Sequence, residues 1–440
     1  MRIRHLVPAF FALFLLAESA AADVVRIEIQ RRDDYGTHER IIGRVHYAVN
    51  PTDPANRRIV DLALAPRNAA GLVEFSGDLL YFQPKATSRA RGAVFVEVVN
   101  RGRDQSLILM SDARTQDLSP QSWDLGDRFL LQQGFAVAFL GWQFDVPAGD
   151  GLRFEAPVAN VSGLVRATFV EDGTGPNLLG FRVPYCAADV NEQGADLQMR
   201  TRFDEVPTVL PRTSWRFSPD GCAVLRPEGF KPGAYEAIYT AKGSPVAGLG
   251  LAAIRDFASY LKYGGRVTTL RENPASVGRV IGFGYSQSAR LLREFVRDGF
   301  NADERGRQAF DALMIASAGA GGGSFNHRFA MPGQAGNSVL SILRPVDVPP
   351  FTDDLLLARA TAAKTVPKIF YTLSSTEYWA RAASLTHSSD DGQRDVPPAP
   401  TSRIYFLTGT PHSGGPLPAR RNVRYRGYQN GINFAEQRWA

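Results

Sequence analysis

From Val24 to about Tyr81, apolar and polar positions alternate with a period of two. The alternating stretches are Val25-Arg26-Ile27-Glu28-Ile29, Ile41 to Tyr47 and Ile59 to Leu64, separated by turn-forming residues at Asn50-Pro51 and Asn68 to Gly71. This pattern predicts antiparallel strands with one face on a core. The period changes at Gly92. The run Gly92 to Val99 is mostly apolar and suits a strand covered on both faces, and Asn100-Arg101-Gly102-Arg103 breaks it abruptly. Phe129 to Gly134 reads as the end of a helix with a glycine stop, and Ala136 to Trp142 as a second buried strand. Strand, crossover and strand predict parallel pairing.

Between about Asp145 and Ala241 the chain is rich in turns again. Val161 to Phe169, Leu179 to Val183, Leu197 to Phe203 and Tyr235 to Tyr239 read as short strands between Asp-Gly, Gly-Pro and Pro-Asp-Gly turns. The parallel pattern then resumes. Leu251, Ile254, Ala258 and Leu261 mark one face of a helix that stops at Gly264-Gly265, followed by apolar strands at Val280 to Phe283, Phe310 to Ile315, Lys368 to Leu373 and Arg403 to Leu407. In such a sheet, working groups gather at the carboxyl ends of the strands.

The N-terminus has a different character. Arg2 and Arg4 precede an apolar run from Leu6 to Ala17, and Ala20-Ala21-Ala22 offers small residues for cleavage before Asp23. A run of about a dozen residues is too short to span a bilayer core of about 30 Å, so residues 1–22 read as a signal peptide and the mature chain as periplasmic or secreted, with no stable membrane insertion. Removing them takes two arginines and Glu18 from a formal charge of +6. The remaining arginines are scattered among acids, which fits a solvated surface and argues against a nucleic-acid partner. Only two cysteines occur, Cys186 and Cys222. Their spacing fits neither a zinc knuckle nor a Cys-x-x-Cys dithiol, and in an exported chain the pair is expected to form a disulfide worth roughly 3–4 kcal/mol.

A mature chain of about 420 residues is long for one compact layer, which suggests a core carrying additions. The expected division is a β-rich N-terminal segment at 23–90, a first part of an α/β core at 91–144, a β-rich insertion at 145–241 and the second part of the core at 242–440.

Chemistry concentrates at Val280 to Phe295, VIGFGYSQSARLLREF. An apolar strand stops at Gly284-Tyr285-Ser286-Gln287-Ser288, and apolar residues then recur at helical spacing at Ala289, Leu292, Phe295 and Val296. A serine at the apex of such a turn projects its hydroxyl above the sheet, which makes Ser286 the candidate nucleophile, and small neighbours at Gly284 and Ser288 permit the strained backbone. Ser288 stands where glycine is usual. The backbone N–H of Gln287, opening the helix, is a candidate oxyanion donor, and a second is expected from Arg101 or Gly102 after the strand ending at Val99. The Arg101 side chain is alternatively a ligand for a substrate carboxylate.

Two later strand tips supply partners. Ser374-Ser375-Thr376-Glu377 follows one, and Thr408-Gly409-Thr410-Pro411-His412-Ser413 follows the last. The order Ser286, Glu377, His412 is that of α/β-hydrolases, in which the histidine moves the serine proton and the carboxylate holds the imidazole. Glu377 could also simply cap the helix that follows, with Ser375 or Thr376 preceding it, and Asp353 and Asp354 are rival acids. His327, in the loop Gly321 to Arg328, and Tyr285, beside Ser286, are read as lining the substrate pocket. His387 closes a helical segment and reads as structural.

The phrases GFGYSQSARLLREFVRDGFNADERGR, AGGGSFNHRFA, SSTEYWARAASLTH and GTPHSGG, with VEFSGDLLYF, VEVVNRG and YTAKGSPVAGLGLAAIRDFASYL, occur in this order apart from the last three, which lie upstream. Together they resemble a bacterial family of largely uncharacterised α/β-hydrolase-domain proteins, over about Gly71 to Tyr428. The resemblance implies an α/β-hydrolase fold, Ser286 as nucleophile and His412 as base, with Glu377 the acid that fits best. It departs at Ala289, where the family often has glycine, and that position carries no reacting group.

The expected fold is therefore α/β, a mostly parallel central sheet flanked by helices with a β-rich N-terminal segment and insertion. The expected function is an exported serine hydrolase acting on a small-molecule carboxylic ester. Amide or peptide cleavage and acyl transfer use the same three residues, and a decayed hydrolase core serving ligand binding is a third class. No cofactor is expected, since the sequence has no Cys/His/Asp cluster at metal spacing and no GxxxxGK phosphate loop.

Overall fold

The computed structural model describes residues 23–86, 90–113, 122–171, 178–202, 205–265, 267, 269–270, 277–333 and 349–412. The proposed signal peptide lies outside them. The chain opens with three long strands, β1 (Asp23–Tyr35), β2 (His38–Val49) and β3 (Val73–Pro84), paired antiparallel. Next come β4 (Ala93–Val98), helices α1 (Ser106–Ser111) and α2 (Phe129–Gln132), and β5 (Ala136–Leu140). Every residue of β4 and β5 is buried, as their unbroken apolar runs require of central parallel strands.

Two sequence expectations change here. A register shift between Val24 and Arg26 puts Val24 and Ile27 on the core side and leaves Val25 exposed, because a bulge breaks strict alternation. Ile59 to Leu64 is not a strand: it holds a single 3-10 turn at Leu62–Leu64 and Asp61 in the left-handed region. Ile59, Leu62 and Ala65 are buried at a spacing of three, whereas Val60 and Leu64 face solvent. The apparent alternation was a turn's periodicity over a stretch too short to separate the two.

After β6 (Phe154–Glu155), which pairs with β3, the chain builds two small antiparallel sheets. The first has the order β10-β9-β13-β7, from β7 (Val158–Glu171), β9 (Asp196–Arg200), β10 (Thr208–Val209) and β13 (Gly233–Pro245); the second has the order β11-β12-β8, from β8 (Gly180–Arg182), β11 (Arg216–Phe217) and β12 (Ala223–Leu225). Their own core includes Phe181, Leu197, Trp215, Phe217, Tyr235 and Tyr239, joined by Phe329 and Met331 from a later loop. Cys186 and Cys222 form a disulfide within this region.

The main sheet resumes through α3 (Leu249–Tyr263), β14 (Arg279–Tyr285), α4 (Gln287–Arg297), β15 (Ala312–Ala316), α5 (Asp353–Leu356), α6 (Ala358–Ala362), β16 (Lys368–Ser374), α7 (Ser375–Ala380) and β17 (Ser402–Leu407). Its order is β1-β2-β3-β5-β4-β14-β15-β16-β17, with β5 through β17 parallel. The chain runs outward from β4 to β5 and later returns on the other side of β4 with β14. That reversal opens a crevice at the carboxyl ends of β4 and β14, where ligands of such sheets bind. Among the described residues no helix is long and apolar enough to cross a membrane.

Helix α3 is buried almost all round, beyond the one face its periodicity marks. Arg255 is fully buried, with Nε 2.7 Å from Asp256 Oδ1, Nη2 2.9 Å from Asn56 Oδ1 and Nη2 3.9 Å from Glu304. Arg255→Leu leaves Asp256 buried without its counter-charge. The expected cost is about 3–5 kcal/mol, measured by urea unfolding of the two proteins. A loss below about 1 kcal/mol would show that the cluster is neutral to stability.

Candidate active site

The turn after β14 is built for Ser286. Its backbone sits at φ 55° and ψ −108°, a region costly for a residue with a side chain, and its N–H donates to Ala316 O at 2.8 Å. A Cβ on Gly284 would lie 2.7 Å from the Ser288 backbone, so only glycine lets the helix start this close to the strand. Ser288 has a specific use here. Its hydroxyl accepts from Tyr285 N–H at 3.0 Å and donates to Tyr285 O at 3.1 Å, pinning the turn from within. Below it, Ala289, Leu292, Phe295 and Val296 are all buried, so α4 is anchored by its apolar face. Ser286 itself is partly exposed.

His412 Nε2 lies 2.9 Å from Ser286 Oγ, and its Nδ1 contacts Glu377 Oε1. A carboxylate only accepts, so Nδ1 carries the proton toward Glu377 and Nε2 is left to accept from the serine. Glu377 is fully buried and divides its oxygens between two tasks. Oε1 meets the imidazole, while Oε2 accepts from Ser374 N at 2.8 Å and Ser374 Oγ at 2.5 Å. Burial alone pushes its pKa up, but the hydrogen bonds from His412 and Ser374 outweigh it, and the carboxyl is held below its ordinary value. Glu377 thus caps α7 and contacts the imidazole at once, with Ser374 rather than Ser375 or Thr376 as N-cap.

The rival acids are engaged elsewhere. Asp353 accepts from Tyr371 Oη at 2.8 Å and Ala399 N at 3.1 Å, and Asp354 from Thr352 Oγ1 at 2.5 Å. Tyr285 stands against the histidine: its ring centroid is 5.5 Å from that of His412, and its hydroxyl donates to the His412 carbonyl. It therefore tethers the loop carrying the imidazole. Among the described residues His327 makes no hydrogen bond to Ser286, His412 or Glu377. Its neighbours Asn326 and Arg328 bond Arg58 O and Asp61. His387 packs against Tyr378, with ring centroids 5.6 Å apart.

At the opening of α4, the Gln287 amide has no intrahelical acceptor. The Gln287 side chain is buried, donating to Gln143 Oε1 at 3.1 Å and Pro332 O at 2.7 Å, which ties the turn to the loops after β5 and β15. Across the crevice, Arg101 and Gly102 follow β4 at φ 51° and 81°. A Cβ on Gly102 would fall 2.5 Å from Asp150 O, so this second glycine is also sterically required. Asn100 locks the loop to the turn: Nδ2 donates to Tyr285 O at 2.9 Å. Asn100, Gln143 and Ser374 were not singled out by sequence, although all three stand at strand tips. Among the described residues no three His, Cys, Asp or Glu side chains converge as metal ligands would.

Beneath the Arg101 loop lies a buried pair, Glu97 and Asp104. Glu97 accepts from Gln105 N at 2.5 Å and Ser106 N at 3.0 Å, fixing the start of α1. Burial, reinforced by Asp104, pushes the Glu97 carboxyl up from 4.5 to about 8. The folded chain therefore keeps a proton that the unfolded chain releases, so the stability that this carboxyl contributes is full below about pH 4.5 and is lost as pH rises toward about 8. Glu97→Gln is expected to flatten this fall in melting temperature, and Glu97→Gln/Asp104→Asn to flatten it further. A double variant with the wild-type slope would rule the pair out as its source.

Residues 156–434, more than half of the chain, match the family model described as Alpha/beta hydrolase domain. The chain belongs to this alpha/beta hydrolase family. Comparison with curated proteins finds no match. Among solved structures, it is similar to an acetyl xylan esterase from Paenibacillus sp. R4, at 11% identity and TM-score 0.30 over 89% of this chain and 84% of that one. It is also similar to the rice cell wall degrading esterase LipA from Xanthomonas oryzae, at 9% identity and TM-score 0.33 over 89% and 92% of the two chains. A third is the peroxisomal alpha-beta-hydrolase Lpx1 from Saccharomyces cerevisiae, at 9% identity and TM-score 0.28 over 86% and 84%. The fold assignment rests on the family match and the strand order of the hydrolase sheet.

Proposed function

We propose that this α/β-hydrolase is an exported serine hydrolase that cleaves small-molecule carboxylic esters through Ser286, His412 and Glu377. The observation that carries this reading is the continuous contact from Ser286 Oγ to His412 Nε2, at 2.9 Å, and from His412 Nδ1 to buried Glu377. Ser286 Oγ attacks the ester carbonyl carbon while Nε2 takes its proton, and the oxyanion is held by the Gln287 amide with that of Arg101 or Gly102. Collapse expels the alcohol, which leaves with the proton from Nε2, and an acyl group remains on Oγ. Water then gives its proton to Nε2 and attacks the acyl carbon. The acid departs as Oγ recovers its proton. Glu377 stabilises the imidazolium in both halves and stays ionised, in keeping with its depressed pKa. The apolar N-terminal run and the disulfide Cys186–Cys222 support export.

The test is to treat the purified mature protein with a fluorophosphonate, map the labelled peptide by mass spectrometry and assay a panel of 4-nitrophenyl esters. Labelling at Ser286 with turnover of at least one ester is expected. Folded protein that neither labels nor hydrolyses any ester would refute the reading.

A further inference from the structure

The strand order fixes what stands round Ser286. Going across the carboxyl ends of the parallel strands, Asp145 follows β5, Arg101 follows β4, Ser286 follows β14, Ser317 to Ala320 follow β15, and Arg381 follows α7 after β16. β4 neighbours β14, so Arg101 stands one strand, about 4.8 Å, from the strand that carries Ser286, and Arg381 is held against the loop after β15 on the other side. Both backbones are fixed to the same framework. Asn100, beside Arg101, bonds Tyr285 O, and Arg381 O accepts from Ala320 N at 2.9 Å while its N–H donates to Glu377 O at 3.0 Å.

The Arg101 side chain is anchored at one point, Nη1 to Asn100 Oδ1 at 3.1 Å, and among the described residues its Nε and Nη2 meet no protein acceptor. It is open to solvent, yet desolvation by surrounding protein is the largest influence on its charge, followed by the charges of Asp145 and Arg381. Asp145 does not close an ion pair with it; that carboxylate accepts from Gln143 Nε2 at 2.6 Å and Gly333 N at 2.8 Å. Next to the candidate oxyanion amide of Gly102 the chain therefore offers a solvent-accessible guanidinium with an unfilled fork.

We infer that Arg101, with Arg381 across the site, binds a carboxylate on the acyl part of the substrate, so that the preferred esters are those of short dicarboxylic acids. A planar guanidinium edge with free N–H donors matches a carboxylate bidentately, and the site is open enough for it to enter charged. This inference rests on the ester-hydrolase reading.

The experiment compares mono(4-nitrophenyl) succinate with 4-nitrophenyl butyrate, acyl groups of equal chain length that differ by the terminal carboxylate. The wild-type protein is expected to favour the succinate ester in kcat/KM by about tenfold or more at low salt, with the ratio shrinking as salt rises. Arg101→Gln is expected to bring the ratio to about one or below, Arg101→Lys to keep part of it, and Arg381→Gln to reduce it. Circular dichroism establishes that each variant is folded. A wild-type ratio of one or less with Ser286 still labelled by fluorophosphonate, or an unchanged ratio in folded Arg101→Gln, overturns this inference and leaves the hydrolase reading standing. Absence of both labelling and turnover overturns the two together.

Discussion

Ser286→Ala is expected to lower kcat for the best ester by roughly 10⁴- to 10⁶-fold and to abolish fluorophosphonate labelling. The change removes one oxygen and little else. The Gln287 and Gly102 amides, which the reaction is proposed to use, belong to the backbone and survive it, so a small rate above that in water should persist. The backbone at φ 55° is unfavourable for alanine as for serine, so the fold has no new strain to absorb. The hydrogen bond to His412 Nε2 is lost, and the imidazole keeps its other anchor at Glu377. The measurement is kcat and KM for the variant and wild-type proteins purified in parallel. KM should change far less than kcat. A variant retaining more than about 1% of wild-type kcat, a barrier change under about 2.7 kcal/mol, would mean that Ser286 is not the nucleophile.

The second large effect is Glu377→Gln, for which a fall of about 10³- to 10⁴-fold in kcat is expected. This substitution separates the two tasks of the residue. A glutamine at the third helical position can still reach back to Ser374, as glutamine does in capping boxes, so melting temperature should move little. Toward His412, however, the carboxylate is replaced by a neutral amide. An amide nitrogen facing Nδ1 would force the ring proton onto Nε2, where it can no longer accept from Ser286, and the imidazolium formed during attack would lose its counter-charge. Glu377→Ala removes both tasks and should lower stability as well as rate. If Glu377→Gln kept near wild-type kcat, Glu377 would be a helix cap alone.

The candidate site was legible in the chain to the extent that its chemistry is local. The elbow Gly284 to Ser288 announces itself because strand, turn and helix each leave their own period and the turn needs small residues at fixed offsets. Glu377 and His412 were legible by rank order after successive strands. What could not be read was the division of labour within Glu377, because the same Ser-x-x-Glu pattern serves a helix cap whether or not an imidazole comes to the other oxygen. Tyr285 shows the same limit: it was read as pocket lining, and no local pattern could tell that its hydroxyl reaches the His412 carbonyl.

The sequence by itself determined the hydrolase class of the fold, the two buried parallel strands Ala93–Val98 and Ala136–Leu140, and the small antiparallel strands between them and α3. Each follows from short-range periodicity and turn chemistry. Tertiary structure decided the rest. It made Ile59 to Leu64 a turn, slipped the register at Val24, buried Arg255 and Asp256 within α3, and brought Asn100 and Gln143 to the turn that carries Ser286. The physical reason is common to all of these. A side chain's burial and partners depend on which distant segment covers it, and the crossing from β4 to β14 that assembles the site spans about 180 residues, far beyond the reach of any local pattern.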